Sequence, residues 1–423
     1  MSNPIQYYDW GSQTAIPEIL GRDDLRGRHC AELWMGAHPK APSRLRLDGG
    51  ERSLLELLSE DSDSFLGPAV TGQFGETLPF LFKILAAEQA LSIQAHPRKD
   101  QAEAGFRRED EEGIPGDAFH RNYRDRNHKP ELICALGEFW ALRGFRPIAD
   151  ICRELRPYSP LRSAVRDLEG QPDSVGLARF FGTLMSLPAE ERDRLVDEVV
   201  GNLSESEAPH QQWVLALYEQ HGRDIGVLAP LYLNCIRLEA GQGLFLPART
   251  LHAYLSGVGV EIMANSDNVL RGGLTRKHID VPELLRALEF TEDPPRILEA
   301  EPVSRGTSQS RASDGGGKPA EGVGCLEEFD TPAAEFRLRR ARVDAGASCR
   351  VPAEAGPRII LCVEGGVRVR TEERADGAED AAEMDLPRGA SLFAPPGDSD
   401  ILLSGSGLVY IAGVAGTGRS AGA

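Results

Sequence analysis

The amino-acid sequence predicts a mainly β protein with one helical insertion and a second, smaller β unit towards its C-terminus. Three observations carry this. Over residues 1–147, short apolar runs such as SRLRL, PFLFKIL, ALSIQA, ELICAL and FWALRGF are broken by Gly and Pro, the punctuation of a sandwich or barrel. Over 148–228 the apolar spacing changes to three and four, as in SAVRDLEGQ, VGLARFFGTLMSL and HQQWVLALYEQHG, which reads as helix. Strand character returns over 229–300, where VPELLRALEF is one further helix, and the first β unit is completed there.

Two smaller features close the chain. Residues 301–322 are rich in Gly and Ser and read as a flexible linker. FRLRRARV, PRIILCVEGGVRVR, ASLFAPP and SGLVYIAGV then give a smaller β domain over 323–414, followed by a disordered tail, 415–423. Within the first β unit, 98–128 is highly charged and reads as a short helix and a long surface loop. In the helical segment, SLPAEERDRLVDEVV has Ser186 or a neighbour as its cap, with acidic residues in the first turn.

Composition bounds the function. The 423 residues, 41% hydrophobic and 26% charged, suit two or three domains with ample core. A formal net charge of −18 offers no basic stripe for a nucleic-acid partner, although cations focused in a cleft can still take an anionic substrate. No apolar run approaches about 18–20 residues, and the polar start MSNPIQYYDWGS has no signal-peptide profile. A soluble, cytoplasmic protein with no membrane partner is expected. Seven scattered cysteines show no CxxC pair or disulfide framework and read as reduced, buried small hydrophobes.

Four separated residues in apolar, strand-like settings, Gln94, His96, Glu131 and His252, supply two imidazoles, a carboxylate and an amide oxygen. In the extended run LSIQAHP, Gln94 and His96 are two apart and point the same way. Such a set can hold one divalent ion with a position open. Imidazole with oxygen donors and no thiolate suits zinc, with manganese and iron as alternatives.

The segment LFLPARTLHAYL resembles the second signature of the cupin barrel, with Arg249 where many cupins carry a glycine; Gln94-x-His96 takes the place of the first-signature ligands. Glu131 lies much farther past His96 than in simple cupins, so the charged loop is read as an insertion between two strands of one barrel. Over about residues 5–290 the chain resembles the type I phosphomannose isomerases. The blocks are YDWGS (8–12), AELWMGAHPKAPS (31–43), LPFLFKILAAEQALSIQAHP (78–97), NHKPELICAL (127–136), ALRGFRP (141–147), LPARTLHAYLSG (246–257) and VEIMANSDNVLRGGLTRKHID (260–280).

The resemblance implies a cupin-type jelly-roll catalytic barrel, one zinc per chain held by Gln94, His96, Glu131 and His252, and interconversion of mannose 6-phosphate and fructose 6-phosphate. Arg271 matches the arginine the family treats as catalytic; a guanidinium is too basic to take a proton and instead binds developing charge or orients phosphate. Lys129 takes a cationic site role by the same resemblance. Glu261, an acid inside the apolar strand VEIM, is the leading candidate for proton transfer and His128 the second. A glutamate paired with a structural arginine is the competing reading of Glu261. Ser92 and Lys277 are assigned to phosphate or hydroxyls, with Arg276 where the family usually has proline. Trp10, Glu32, His38, Lys83 and Tyr254 fall in matching blocks and are read as cleft residues, simple packing being the alternative for Trp10 and Tyr254.

No paired histidines follow residue 278, so the C-terminal domain is expected to be a metal-free second barrel, and the protein a monomer. Two other readings remain open at this stage. A bicupin oxidase or decarboxylase would use manganese or iron, but such sites usually want a histidine where Gln94 stands. A sugar-phosphate-binding regulator would have lost catalysis.

Overall fold

A computed structural model describes residues 1–303, 325–372 and 382–416. The linker expected over 301–322 lies, from residue 304 on, outside the described residues, as does the tail from 417 on. Residues 301 and 302 of that expected linker form a short strand.

The first barrel is built from β1 (Ile5–Ser12), β2 (Cys30–Met35), β5 (Phe80–Ala87), β6 (Ile93–Ala95), β7 (Glu131–Ala135) and β8 (Phe139–Phe145), while β3 (Arg44–Leu47) and β4 (Gly50–Ser53) form a separate hairpin. After the helices come β9 (Leu233–Leu238), β10 (Gly243–Leu246), β11 (His252–Ala264), β12 (Leu270–Gly273) and β13 (Ile297–Leu298). One sheet runs β1-β2-β5-β11-β7-β10-β13, and the facing strands β12, β6, β8 and β9 join it through β11.

β11 belongs to both sheets. Its first half pairs with β6 and β8, its second with β5 and β7. A register shift between Tyr254 and Ser256 and Gly257, at φ 123°, turn the strand between them. A Cβ on Gly257 would stand 2.7 Å from the Glu138 carbonyl oxygen, so only glycine fits. The shift also changes which parity faces inward, so His252 and Glu261 both point into the barrel.

Strand alternation places the rest. On β5, Phe80, Phe82, Ile84 and Ala86 join the core shared with the C-terminal domain, leaving Leu81, Lys83, Leu85 and Ala87 on the opposite, inward face. On β7, Leu132 and Cys134 face outward and Glu131, Ile133 and Ala135 inward. Both faces are covered, which is why PFLFKIL and ELICAL read as continuous apolar runs. On β6, Ile93 and Ala95 pack into the helical core, so Gln94 points to the lumen.

The helical insertion comprises α6 (Ile148–Leu155), α7 (Arg162–Gly170), α8 (Ser174–Met185), α9 (Ala189–Leu203), α10 (Pro209–His221) and α11 (Ala229–Tyr232); α1 to α5 are Ala15–Leu20, Leu54–Glu60, Ser62–Leu66, Pro68–Phe74 and Lys99–Glu111, and α12 is Val281–Ala287. The cap expected near Ser186 is not there. Ser186 ends α8, and α9 starts after Pro188 with no side-chain cap. The charged stretch 98–128 does hold a helix, α5, but its loop is less of a surface feature than its charge suggests. Glu109, Arg121 and Tyr123 are buried, with the Glu109 carboxylate accepting the Asn122 and Tyr123 amides.

The second barrel contains β14 (Glu301–Pro302), β15 (Leu326–Glu328), β16 (Arg337–Val343), β17 (Ser348–Val351), β18 (Arg358–Thr371), β19 (Glu383–Pro387), β20 (Ser391–Ala394) and β21 (Ile401–Gly413). Cys325 and Cys349 are joined by a disulfide, which corrects the reading of all seven cysteines as reduced. Neither residue carries a pairing motif; the pair meets only because β17 folds back beside β15. The other five are free, and Cys30, Cys134, Cys152 and Cys362 are buried.

Candidate active site

The site is assembled where the two sheets meet. His252 stands directly opposite Gln94, and Gln94 directly opposite Arg271, so all three side chains share one face, with His96 two residues beyond Gln94. Glu131 opens β7 across the barrel. Its Oε1 lies 3.4 Å from His96 Nε2 and its Oε2 3.4 Å from His252 Nε2. The imidazole centroids are 4.9 Å apart.

Both histidines are oriented from behind. His96 Nδ1 lies 2.7 Å from the Asn268 carbonyl oxygen, and His252 Nδ1 2.9 Å from that of Thr250. A carbonyl oxygen only accepts, so Nδ1 carries the proton and each Nε2 presents its lone pair. Three atoms are then left buried without a hydrogen-bond partner: His96 Nε2, His252 Nε2 and Glu131 Oε2. One donor atom from each of these residues can be chosen so that all lie within 4.8 Å of one another, the one such group among the described residues. Ligands about 2.0–2.1 Å from a tetrahedral ion stand about 3.3–3.4 Å apart, so the residues present fit a zinc-sized cation. Gln94 shares the face and can supply a fourth donor. Burial pushes His96 down to about 4, which keeps it neutral. Burial acts to raise the Glu131 carboxyl, but neighbouring charge, Lys129 foremost, holds the group well below its ordinary value.

Charged groups surround this trio. Lys129 Nζ lies 3.2 Å from Glu131 Oε1. Deeper in the lumen, Lys83 is buried between two carboxylates, 3.2 Å from Glu32 and 3.0 Å from Glu261. Burial alone would lower the Lys83 ammonium; Glu261 and Glu32 together raise it, so it stays charged. The Tyr254 hydroxyl donates to Glu261 at 2.9 Å. Burial, then the Glu131 and Glu32 charges, act to raise the Glu261 carboxyl against the opposing pull of Lys83. Glu261 therefore pairs with a lysine in a central strand, and no arginine is involved.

The remaining expected residues line the approach. Trp10 packs against the lumen cluster of Leu85, Ile133 and Tyr254. Ser92 is half-buried just ahead of β6, and Lys277 is exposed at the rim. Burial, then the Arg271, Arg124 and Lys40 charges, lower Lys277, and burial with Arg124 lowers Arg271. These four cations thus share one region of positive potential. Arg124 and Lys40 escaped the sequence reading because neither has a spacing signal: Arg124 sits in a charged run and Lys40 between two prolines in HPKAP. Asp267 was missed as well. It ties Lys40, at 2.8 Å, and His38, at 3.6 Å, to the NSDN turn. In that turn the Asn268 side chain holds Asp125 and Asn127 while its carbonyl orients His96.

Arg249 explains the departure from the cupin signature. Its φ is 71°, the left-handed conformation that glycine favours. The strain is offset by its amide, which donates to the His96 carbonyl at 2.7 Å, and by its guanidinium, which donates to the Ala287 and Leu288 carbonyls.

Fold and donor set together define a two-barrel cupin protein whose one candidate divalent-metal centre among the described residues lies in the first barrel. A family model for the catalytic domain of type I phosphomannose isomerase matches residues 1–148. The chain is 37% identical over 406 residues to mannose-6-phosphate isomerase of Escherichia coli (strain K12), covering 96% of each, and 32% identical to that of Bos taurus, covering 94% of this chain and 93% of the relative. Among solved structures it is similar to a zinc-bound holo mannose 6-phosphate isomerase, at TM-score 0.84 and 36% identity. It is also similar to a point mutant of phosphomannose isomerase from Salmonella typhimurium, at TM-score 0.85 and 35% identity, with 98% of both chains covered in each case. The chain belongs to the type I phosphomannose isomerase family.

Proposed function

We propose that the chain is a zinc-dependent aldose–ketose isomerase that interconverts D-mannose 6-phosphate and D-fructose 6-phosphate through a cis-enediol. The observation that carries this is the convergence of His96 Nε2, Glu131 Oε2 and His252 Nε2 as buried, unsatisfied donors in a mouth ringed by Lys129, Arg271 and Lys277. His96, Glu131 and His252 would hold the metal, with Gln94 as fourth ligand; a bound zinc supplies Lewis-acid polarisation of oxygen without redox chemistry.

The protein groups do the rest. The reaction moves a proton between C1 and C2, so it needs a base and a stabiliser of oxygen charge. Glu261, its proton affinity raised by burial, takes the proton, while Lys83 and Tyr254 keep the carboxylate in place. His128 is the second candidate. Arg271 meets the charge that develops on the enediolate, or orients the phosphate. Lys277, Ser92, Arg124 and Lys40 supply the cationic and hydroxyl contacts for phosphate, with Trp10, Glu32 and Tyr254 shaping the cleft. Sugar phosphates are charged metabolites retained inside cells, which supports a cytoplasmic location.

A coupled assay with mannose 6-phosphate, run before and after chelation and zinc return, tests the reading. Activity lost on chelation and restored by zinc is expected. Binding of mannose 6-phosphate with no fructose 6-phosphate formed would favour a non-catalytic sugar-phosphate binder; dependence on iron or manganese would favour the oxidase or decarboxylase reading. Within the mechanism, Glu261→Gln should abolish exchange of the C2 proton with solvent, and persisting exchange would place the base elsewhere.

A further inference from the structure

The second barrel has no metal-ligand set among its described residues, yet it touches the segment that leads into the first barrel's site. The loop between β15 and β16 is anchored by Phe329, Ala333 and Phe336, all buried in the core that also contains Leu132 of β7. With its backbone held on both sides, this loop carries Glu335 to His128, whose Nε2 lies 2.5 Å from Glu335 Oε1. The Glu335 side chain is only 12% exposed. Burial acts to raise its carboxyl, but the His128 hydrogen bond and charge outweigh that and hold it below its ordinary value, so it is a carboxylate at neutral pH.

A carboxylate can only accept. Nε2 of His128 therefore carries a proton, and in the neutral form of the ring Nδ1 is the basic nitrogen. His128 leads directly into Lys129 and Glu131. Its neighbour Asn127 is fixed from both sides, accepting from Lys99 at 3.0 Å and donating to the Asn265 carbonyl at 3.2 Å.

We propose that Glu335 of the second barrel is a positioning residue for the isomerisation, setting the tautomer and ring orientation of His128 at the mouth of the first barrel. This rests on the reading of His128 as a proton-transfer group. It gives the metal-free domain a part in the chemistry beyond covering a sheet.

Removing a group that orients a functional histidine typically costs about 10–100-fold. Glu335→Gln and Glu335→Ala should therefore lower kcat about 10-fold or more, with KM, zinc content and melting temperature retained. Because Glu335 acts through His128, the double variant His128→Ala/Glu335→Ala should be no slower than His128→Ala alone. Wild-type kcat in Glu335→Ala, or losses that multiply in the double variant, overturns the proposal. Loss of zinc or of melting temperature alongside kcat overturns it in favour of scaffolding. A measurement on the unmutated protein decides independently of activity: nitrogen-15 NMR of labelled histidines should show His128 as the Nε2–H tautomer, and an Nδ1–H tautomer refutes the pairing. If the unmutated protein fails to interconvert the sugar phosphates, the isomerase reading falls while the tautomer still tests the contact.

Discussion

In the first barrel the lumen holds Glu32, Lys83, His96, Glu131, His252 and Glu261, all buried; in the second, the corresponding cluster is Leu326, Ala341, Val343, Cys349, Val351, Ile360, Cys362, Val367, Leu403, Val409 and Ile411. Both are antiparallel barrels with alternating side chains, so backbone architecture does not separate them. What separates them is whether unpartnered buried polar atoms converge on one point. In the first, Lys83 is compensated by two carboxylates and Glu261 by Lys83 and Tyr254, while three donor atoms are left without a partner. Unpaired buried polar atoms cost free energy unless something satisfies them, which is why they mark a ligand site. The second barrel is mainly apolar inside; its buried Arg358 leaves Nε without a partner, but no group of metal donors converges there among the described residues.

The sharpest way to break this contrast is at the unsatisfied donors. His252→Ala should lose zinc and nearly all activity, by metal analysis and kcat; full zinc occupancy with normal turnover would remove His252 from the ligand set. Arg271→Ala should keep zinc yet lower kcat about 10²-fold, as loss of a charge stabiliser does. A change confined to KM would instead assign Arg271 to ground-state phosphate binding.

Changes on the packing side should have the opposite signature. Phe329 of the second domain fills the space above Gly243 of the first barrel, where a Cβ would meet its ring at 3.1 Å. Phe329→Ala should cost about 3–5 kcal/mol in denaturant unfolding while zinc is retained. Zinc loss at unchanged stability would show that the two barrels are less separable than their lumens suggest.

The smallest effect concerns the contact between the domains. Cys134 of β7 lies 3.3 Å from the Tyr410 hydroxyl of β21, and burial pushes its thiol up from 9.0 to about 11. Between those values the unfolded chain releases a proton that the folded chain keeps, so stability falls as pH rises through that window. Cys134→Val should make the melting temperature less steep against pH from 9 to 11; an unchanged slope would assign the alkaline loss to other buried groups.

Much of this was legible in the residues. Gln94 and His96 announced themselves by even spacing in an apolar strand, and the helical insertion by its change of period. Glu261 was visible as an acid in an apolar run, though its lysine partner was not. The disulfide was invisible because Cys325 and Cys349 have no paired spacing. Glu335 was invisible for a related reason: nothing in the segment 330–336 marks one glutamate among many as the one that meets a histidine some two hundred positions earlier.

By itself the sequence determined the strand and helix content and the residue types available for a metal, because side-chain period and chemistry are local properties. Which atoms meet was decided only by the tertiary structure. The bend in β11 at Gly257 turns His252 and Glu261 into one lumen, and the packing of the second barrel brings Glu335 to His128. Such contacts depend on register and on how two sheets close over each other. Those are set by the packing of the whole core, which no single stretch of chain encodes.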